Sequence, residues 1–244
     1  ENILSKNKRV IKINRGKKRV INVFGKKYLE SFKLNVPGDP SSAAFFAALT
    51  LLKENSSLRI KNVGLNPRRT GFYQLLKKQG AKIKFKNKKK ENNEILGDII
   101  IKSSKIKPIF ASKKYYVSCT DEYPILFVIA GLTKGISIFK GIGDLANKES
   151  NRILEMQNIL KQVGIKSYFK NNELKIFGKG MIKAENKKIL VPNLGDHRIC
   201  MSTVILAILT GAYANIKNFE TVNTSSPSFL RIIKSLGAKF YVQK

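Results

Sequence analysis

The only histidine of the sequence stands beside an arginine at the start of an apolar segment. Residues 195–198 read Gly-Asp-His-Arg and directly precede the apolar run 199–214. The first turn of a helix has unpaired backbone N–H groups and the positive end of the helix dipole, so Arg198 would add a full charge and a two-pronged donor to an anion site. The same tetrapeptide also fits an ordinary helix start, capped by Asp196 with His197 and Arg198 solvated.

A second group of polar residues occupies positions 147–152, which read Asn-Lys-Glu-Ser-Asn-Arg. Lys148 and Arg152 are four positions apart, which predicts that they share one face of a helix, with Glu149 in its first turn. Alone, this group is typical of a solvated helix start. Together with Asp121 and the 195–198 tetrapeptide it offers two arginines for a small dianion, a lysine for a second phosphate and two carboxylates for proton transfer. That set favours a reaction between two anionic metabolites.

The elements that carry these residues recur three times along the chain. In each unit an Asp opens an apolar helix, and a Gly ends the amphipathic helix that follows. The Asp–Gly pairs lie 41, 43 and 41 positions apart and are Asp39–Gly80, Asp121–Gly164 and Asp196–Gly237. The pattern predicts an α+β fold in which each unit is an apolar helix, a strand, an amphipathic helix, a strand and a further strand or hairpin.

The apolar helices of the three units determine where the polar residues meet. A helix that is apolar all round is buried on every side, so the three should cluster in the middle, with sheets and outer helices around them. Their N-terminal residues, which include Asp121 and the 195–198 tetrapeptide, can then converge on one end of the domain. We expect that end to be the functional face.

Residues 1–35 differ from the rest of the chain. They contain two strand-like runs, 9–13 and 19–24, separated by a turn at 15–16, and too few apolar residues to bury their own faces. We expect residues 1–35 to be the tail of an amino-terminal domain missing from this chain, which begins at Glu1 rather than Met. The Pro- and Gly-punctuated segment 36–42 marks the boundary, and residues 36–244 form the carboxy-terminal domain.

The charge of the chain points to anionic partners. Lys and Arg number 47 against 16 Asp and Glu, a formal net charge of +31. The excess is mostly Lys and is dispersed, with one dense run, Lys86 to Lys90, predicted to be a solvated loop, and the aromatic residues do not alternate with basic ones. We therefore expect no nucleic-acid partner, although a lysine-rich nucleic-acid-binding module remains an alternative.

Cysteine usage and hydropathy indicate the cellular compartment in which the chain is expected. Cys119 and Cys200 have no paired spacing, which suggests neither a disulfide framework nor a zinc site and favours a reducing, cytoplasmic compartment. The longest apolar run, 199–214, contains Ser, Thr and Gly and is shorter than the roughly 20 residues of a membrane-spanning helix. It predicts a buried helix, and we expect no membrane association.

Five motifs in order make the chain resemble the carboxy-terminal half of the 5-enolpyruvylshikimate-3-phosphate synthase family. They lie at 36–45 (Val-Pro-Gly-Asp-Pro-Ser-Ser-Ala-Ala-Phe), 62–71 (Asn-Val-Gly-Leu-Asn-Pro-Arg-Arg-Thr-Gly), 121–126 (Asp-Glu-Tyr-Pro-Ile-Leu), 148–152 (Lys-Glu-Ser-Asn-Arg) and 195–198. The resemblance implies an enolpyruvyl transferase of the shikimate pathway, a monomer when complete. Its two domains, each of three βαβαββ units, close over shikimate 3-phosphate and phosphoenolpyruvate.

The resemblance also implies roles for particular residues. It makes Asp121 and Glu149 catalytic, gives Asp121 and Lys148 to shikimate 3-phosphate, and gives Arg152, His197 and Arg198 to phosphoenolpyruvate. In this scheme Asp121 is a candidate base at the 5-hydroxyl, and Glu149 exchanges a proton with the methylene carbon of the enolpyruvyl group. No metal or organic cofactor is implied, because fixed charges stabilise the reaction.

Departures from the family pattern leave alternatives open. Ala146 and Asn151 stand where the family usually has Arg and Asp, and Thr224 lies where some members place a substrate-contacting Lys. The amino-terminal motifs of the family have no counterpart after Glu1, so we expect this chain to carry about half an active site. The related UDP-N-acetylglucosamine enolpyruvyl transferases share the fold, but the motifs at 121–124 and 148–150 favour the shikimate branch.

Overall fold

The computed structural model describes residues 10–16, 18–28, 31 and 33–242. The strands are β1 (Ile11–Arg15), β2 (Arg19–Val23), β3 (Ser57–Gly64), β4 (Lys82–Glu91), β5 (Glu94–Lys102), β6 (Phe110–Ala111), β7 (Gly135–Lys140), β8 (Lys166–Lys170), β9 (Glu173–Gly178), β10 (Lys188–Val191) and β11 (Tyr213–Ile216). The helices are α1 (Pro40–Leu52), α2 (Gly71–Lys78), α3 (Tyr116–Cys119), α4 (Tyr123–Gly131), α5 (Arg152–Gln162), α6 (His197–Thr210) and α7 (Phe229–Ser235).

The threefold repeat is confirmed by the way the strands pair around the central helices. In each unit the backbone before the central helix pairs in parallel with the strand after it: Gly38 with Val63, β6 with β7, and β10 with β11. The first two units then add an antiparallel hairpin, which gives the sheet orders β3-β5-β4 and β6-β7-β9-β8. The fold is therefore α+β, as the sequence predicted.

The two added hairpins use the same turn. Asn92 and Asn93 join β4 to β5, and Asn171 and Asn172 join β8 to β9, all with φ between 50° and 61°. A two-residue loop with positive φ at both positions matches the twist of the flanking strands, and Asn tolerates that conformation better than most residues. The third unit differs, because residues 236–242 form no strand, although the sequence predicted one after Gly237. Among the described residues, the third unit therefore has no antiparallel strand that corresponds to β5 or β9.

The three central helices form the middle of the domain. Helices α1, α4 and α6 contact one another pairwise, and all nine residues of α4 are buried. The predicted glycine stops are also present, since Gly80, Gly164 and Gly237 follow the outer helices with φ of 96°, 80° and 93°. The predicted central cluster is thus confirmed, and it places the N-terminal ends of these helices close together.

Two predictions made for surface segments have different outcomes. The predicted strands near the amino terminus are confirmed as the antiparallel hairpin β1-β2, while residues 1–9 of that segment lie outside the described residues. The prediction that Lys86 to Lys90 form a loop is wrong, because these lysines belong to β4, which continues to Glu91. Strand β4 is the edge of its sheet, where exposed lysines are compatible with strand structure.

A buried carboxylate holds the first sheet together. Asp98, on the central strand β5, is 7% exposed and accepts hydrogen bonds from Arg59 Nε and Nη2 at 3.0 and 2.6 Å, the Asn62 backbone N–H at 3.0 Å and Asn87 Nδ2 at 2.7 Å. Both flanking strands have an irregular register here, between Ile60 and Val63 on β3 and between Lys86 and Lys89 on β4. The hydrogen bond from Arg59, followed by those from Asn62 and Asn87, lowers the pKa of Asp98 to about 2.

We expect Asp98→Asn to lower the unfolding midpoint in urea at neutral pH, because an amide loses the charge that these donors stabilise. The pKa of Asp98 is depressed in the folded state, so its stabilising contribution is present above about pH 4 and is lost as the pH falls towards 2. The difference between the parent and the variant should therefore shrink from pH 7 to pH 3. Glu54→Gln, which changes an exposed carboxylate, is the control. A difference that stays constant with pH would contradict this role.

Candidate active site

The N-terminal ends of the central helices bring the predicted site residues to one face. Arg198 Nη2 of α6 lies 3.1 Å from Asp121 Oδ2, in the 3-10 turn before α4. Arg152, the first residue of α5, contacts Asp196 before α6 and lies 3.9 Å from Asp121. The structure thus joins Asp121, Glu149, Arg152 and Arg198 in one network, as the sequence predicted.

The centre of this network is a buried ion pair. Arg152 and Asp196 are 1% and 0% exposed. Arg152 Nε donates to Asp196 Oδ2 at 2.8 Å and Nη2 donates to Oδ1 at 3.4 Å. Ser150 Oγ donates to Oδ2 at 3.0 Å, so the buried carboxylate is hydrogen-bonded on both oxygens. A buried charge pair is tolerated when both partners are fully hydrogen-bonded, and this one meets that condition for the carboxylate.

Asp196 is also the N-cap of α6, as predicted. Its Oδ1 accepts from the backbone N–H groups of Arg198 at 2.9 Å and Ile199 at 3.4 Å. Burial by itself raises the pKa of Asp196, but the hydrogen bond and charge of Arg152, with the bonds from Ser150 and the Arg198 backbone, outweigh burial and hold that pKa below its ordinary value. The carboxylate is therefore ionised at neutral pH, and it fixes the start of α6.

Glu149 contacts the same guanidinium from the solvent side. Arg152 Nη2 donates to Glu149 Oε2 at 2.5 Å, and the side chain of Glu149 is 46% exposed. The prediction that Lys148 and Arg152 share a helix face is wrong, because Asn151 is the N-cap of α5 and accepts from the Leu154 N–H. Lys148 and Glu149 therefore precede the helix. Their backbone leaves Glu149 facing Arg152 at the open side of the site.

Asp121 departs from the repeat because its carboxylate does not cap the central helix. The prediction that Asp121 caps the second central helix is wrong, since Glu122 occupies the N-cap position of α4 and Asp121 lies in the 3-10 turn Thr120–Glu122. No backbone N–H of the helix binds the Asp121 side chain among the described contacts. The carboxylate instead faces Arg198 and is 40% exposed, so it is accessible to a ligand.

His197 begins α6 beside these charges. Its Nε2 is buried and has no hydrogen-bond partner among the described residues. Burial, followed by the charge of Arg198, lowers the pKa of His197, although Asp196 and Glu149 act in the opposite direction. The imidazole is consequently neutral at physiological pH.

Lys148 lies at the edge of the network and has a different partner. Its Nζ contacts Asp144 Oδ2 at 2.9 Å, and the Tyr116 hydroxyl donates to the same oxygen at 2.6 Å. No described ion pair joins Lys148 to Asp121. The segment around Thr224 supports the α6 side of the face, because the Thr221 hydroxyl donates to the Gly195 carbonyl at 3.0 Å and Thr224 bonds back to Thr221.

Sequence reasoning missed a related group in the first unit. Arg69 Nη2 lies 3.1 Å from Asp39 Oδ1 and donates to Ser41 Oγ at 3.0 Å. The repeat itself carried the signal. Arg69 follows Asp39 by 30 positions, and the pair Asp121–Arg152 is separated by 31. The first unit thus has its own aspartate–arginine pair on the same face.

The face is open and built from fixed charges. The side chains of Asp121 and Glu149 are 40% and 46% exposed, whereas those of Arg152 and Arg198 lie beneath and are 1% and 11% exposed. Over the described ranges, no group of three or more His, Cys, Asp or Glu residues is suited to hold a metal ion. In the same part of the chain, no helix combines the length and the apolar character needed to cross a membrane.

Comparison with known proteins gives one family. The family model described as EPSP synthase (3-phosphoshikimate 1-carboxyvinyltransferase) matches residues 2–233. The 3-phosphoshikimate 1-carboxyvinyltransferase of Petrotoga mobilis is 39% identical over 210 residues, which cover 86% of this chain and 48% of the relative. That of Paramagnetospirillum magneticum is 36% identical over 221 residues, covering 91% and 49%. This chain therefore spans about half the length of the curated relatives it matches.

Solved structures agree with this assignment. The EPSP synthase of Acinetobacter baumannii superposes with a TM-score of 0.88 at 30% identity, over 100% of this chain and 55% of that one. The enolpyruvyl transferase NikO from Streptomyces tendae superposes with a TM-score of 0.70 over 94% of this chain and 50% of its own, at 13% identity. The second likeness shows a common fold only.

Proposed function

The chain belongs to the EPSP synthase family, and we propose that it forms the half of an active site that transfers the enolpyruvyl group of phosphoenolpyruvate to shikimate 3-phosphate. The 5-hydroxyl would be the acceptor, and phosphate would be released. The observation that carries this proposal is the convergence of Arg152, Arg198 and the partly exposed carboxylate of Asp121 at the start of α6. A second domain, of the kind that makes the relatives twice as long, would supply the opposing half.

Phosphoenolpyruvate would bind at the α6 end of the face. Arg198 contributes a guanidinium that is paired with the partly exposed carboxylate of Asp121, and its side chain is 11% exposed. Arg152 lies beneath the same side, 1% exposed and with Nη1 3.9 Å from Asp121, and would add its positive charge to the site. His197 adds a neutral ring nitrogen without a partner. Two guanidiniums and a helix N-terminus suit a carboxylate or a phosphate. A neutral imidazole can donate a hydrogen bond to either group or accept one from a protonated phosphate.

The reaction needs two proton transfers that balance each other. The 5-hydroxyl oxygen adds to C2 of phosphoenolpyruvate while its proton leaves, and a proton joins the methylene carbon to make a methyl group. The tetrahedral intermediate then loses phosphate by cleavage of its C–O bond, and the methyl group returns a proton. We assign the hydroxyl proton to Asp121 and the methylene proton to Glu149, whose carboxylates are both exposed on this face.

Fixed charges would stabilise the intermediate without a metal or organic cofactor. The arginines are held by buried or partly buried carboxylates before any ligand arrives, so little reorganisation is needed when charge develops. Lys148 would leave Asp144 and contact shikimate 3-phosphate instead. Its ion pair with Asp144 is a surface pair, and such pairs contribute little stability. A substrate phosphate carries more charge than that carboxylate and can replace it.

We propose that residues 36–244 form this catalytic half and that residues 1–35 belong to a different domain. Strand β2 supports the division, because Val20, Ile21 and Val23 are 46%, 42% and 68% exposed in the described hairpin. In contrast, the apolar residues of α1, α4 and α6 share one continuous core. A two-stranded hairpin with exposed apolar residues is unstable by itself and needs another surface to pack on.

A fusion of this chain to the amino-terminal half of the Petrotoga mobilis relative tests the assignment of Arg198. We expect Arg198→Ala to raise the KM for phosphoenolpyruvate by about 10- to 100-fold, since it removes a charge-assisted contact worth roughly 1.5–3 kcal/mol. The KM for shikimate 3-phosphate should change little. Arg231→Ala, on the outer helix α7, is the control for general loss of positive charge. Equal increases in the KM values of both substrates would show that Arg198 does not act on phosphoenolpyruvate in particular.

The same fusion separates a chemical role of Glu149 from a structural one. Glu149→Gln keeps the size of the side chain and its contact with Arg152 but removes the basic carboxylate. We expect kcat to fall by about 10²- to 10⁴-fold, with solvent deuterium exchange into the enolpyruvyl methylene falling in parallel. Steady-state kinetics and proton NMR measure the two effects. A variant that turns over and exchanges at the parental rate would remove Glu149 from the mechanism.

A further inference from the structure

The solvent-facing side of the sheet β6-β7-β9-β8 carries three exposed aromatic rings. Phe110 of β6, Tyr168 of β8 and Phe177 of β9 are 52%, 55% and 41% exposed. Opposite residues of paired strands lie on the same face of a sheet, and the strand register defines three rows on this face. The rows run Phe110, Ile138, Lys175, Tyr168; Ile136, Phe177, Lys166; and Lys140, Glu173, Lys170. We call these ten residues the aromatic face.

Lysine side chains separate the rings of the aromatic face. Lys166 and Lys170 lie on either side of Tyr168 along β8. Lys140 Nζ lies 5.8 Å from the centroid of the Phe110 ring, a distance at which an ammonium group is attracted to the ring. The aromatic face therefore interleaves rings and positive charges.

The charge of the aromatic face is positive. Its carboxylate, Glu173, contacts Lys140 Nζ at 3.2 Å and Lys175 Nζ at 3.6 Å. The three rows hold four lysines against this one carboxylate, which leaves an excess of three positive charges. An anionic ligand is therefore favoured.

A cavity opens on the aromatic face where β8 turns into β9. It has a volume of about 310 Å³ and is lined by Tyr168, Lys170, Asn171, Glu173 and Lys175. These residues offer a flat ring, an amide that can both donate and accept hydrogen bonds, and two ammonium groups. The same groups suit a planar base attached to a phosphate.

The corresponding face of the first unit is basic in a different way. In the sheet β3-β5-β4, one row runs Lys84, Ile100, Arg59 and the next runs Lys82, Lys102, Ser57. These two rows contain four cations and no aromatic residue. Positive charge is thus common to both sheets, whereas the rings distinguish the aromatic face.

Strand pairing produces an arrangement that the order of residues along the chain does not show. The expectation of no nucleic-acid partner came from that order, in which aromatic and basic residues do not alternate. On the aromatic face, Lys175 is the cross-strand partner of Tyr168, and Lys166 is that of Phe177. The folded chain therefore brings together residue types that are dispersed in the sequence.

We propose that the aromatic face binds single-stranded nucleic acid. Bases stack on Tyr168 and Phe177, which are diagonal neighbours across β8 and β9 and hence roughly 7–8 Å apart. Every base has a π-face, so stacking tolerates any sequence, and sheet surfaces with two or three such rings hold single-stranded RNA in common RNA-binding modules. The lysines between the rings contact the phosphates.

An anionic membrane fits the aromatic face less well. Burial in lipid needs a continuous apolar surface, whereas ammonium groups and the carboxylate of Glu173 lie among these rings. A single strand alternates flat bases with phosphates and so matches rings that alternate with lysines. The inference does not depend on the proposed function, because the aromatic face contains none of the candidate active-site residues.

Fluorescence anisotropy of the chain with labelled oligo(U) and oligo(dT) of about 12 nucleotides tests the stacking. We expect Tyr168→Ala and Phe177→Ala each to weaken binding by about 5- to 100-fold, the range that follows from the loss of one stacked base. Tyr213→Ala is the matched control and should bind like the parent. Tyr213 of β11 is 60% exposed and also has a lysine, Lys188, with Nζ 5.7 Å from its ring centroid.

The salt dependence of binding separates the lysines from the rings. Each lost phosphate contact should reduce the slope of log affinity against log salt concentration by about 0.7, so Lys170→Gln should flatten that slope. Tyr168→Ala should lower the affinity at every salt concentration and leave the slope unchanged. Lys84→Gln, on the basic face of the first unit, should match the parent in both quantities.

Glu173→Gln gives a test that loss of folding cannot imitate. Removing this carboxylate releases Lys140 and Lys175 for phosphates, so the variant should bind the oligonucleotides more tightly than the parent. The expected gain is about 2- to 5-fold, the range for a surface charge pair. An unchanged or lower affinity would contradict the proposal.

Heparin, a polyanion without bases, and phosphatidylglycerol vesicles complete the comparison. Heparin affinity should be the same in the parent, Tyr168→Ala and Phe177→Ala. Equal losses of heparin and oligonucleotide affinity in these variants would overturn the stacking, and so would oligonucleotide affinities that match the parent. Vesicle binding that requires the two rings, without oligonucleotide binding, would assign the aromatic face to a membrane instead. None of these results would affect the proposed enolpyruvyl transfer.

Discussion

The buried ion pair between Arg152 and Asp196 is the contact on which the arrangement of the site depends. Asp196 ends the loop before α6 and caps that helix, while Arg152 begins α5, so the pair joins two units at their functional ends. Separating them would leave a charge without a partner in a region with almost no solvent access, at a cost of several kcal/mol. The pair thus fixes the positions of two further site residues: Arg198, which follows Asp196 by two positions, and Glu149, which contacts Arg152.

The repeat sets the positions of the central helices, and departures from the repeat set the positions of the carboxylates at their starts. In the first and third units the aspartate before the central helix is an N-cap, which occupies its carboxylate with backbone N–H groups. In the second unit the 3-10 turn places Glu122 at that position and moves Asp121 out towards Arg198. The 3-10 turn therefore leaves the Asp121 carboxylate partly exposed beside Arg198 and the Glu122 carboxyl buried.

Much of the fold followed from local patterns in the sequence. Apolar helices, glycine stops and equal Asp–Gly spacings are short-range signals, and they predicted the central cluster and the convergence of Asp121 with residues 195–198. The exact helix starts were harder to predict, because Glu122 is not a typical N-cap residue, and Asn151, although a favourable one, follows Ser150, which suits the same position. The burial of Glu122 depends on the packing of α1, from another unit, against the 3-10 turn Thr120–Glu122, and no local pattern reports that contact.

The most direct measurement is a double-mutant cycle on the central ion pair, with Arg152→Met, Asp196→Asn and the double variant compared by urea unfolding of this chain. If the pair organises the site, each single variant should lose about 3–5 kcal/mol of unfolding free energy, since each leaves a buried partner uncompensated. The double variant should lose scarcely more than either single one, a coupling energy of about 3 kcal/mol. Losses that simply add, with a coupling energy near zero, would contradict the claim that this pair holds the two helix starts together.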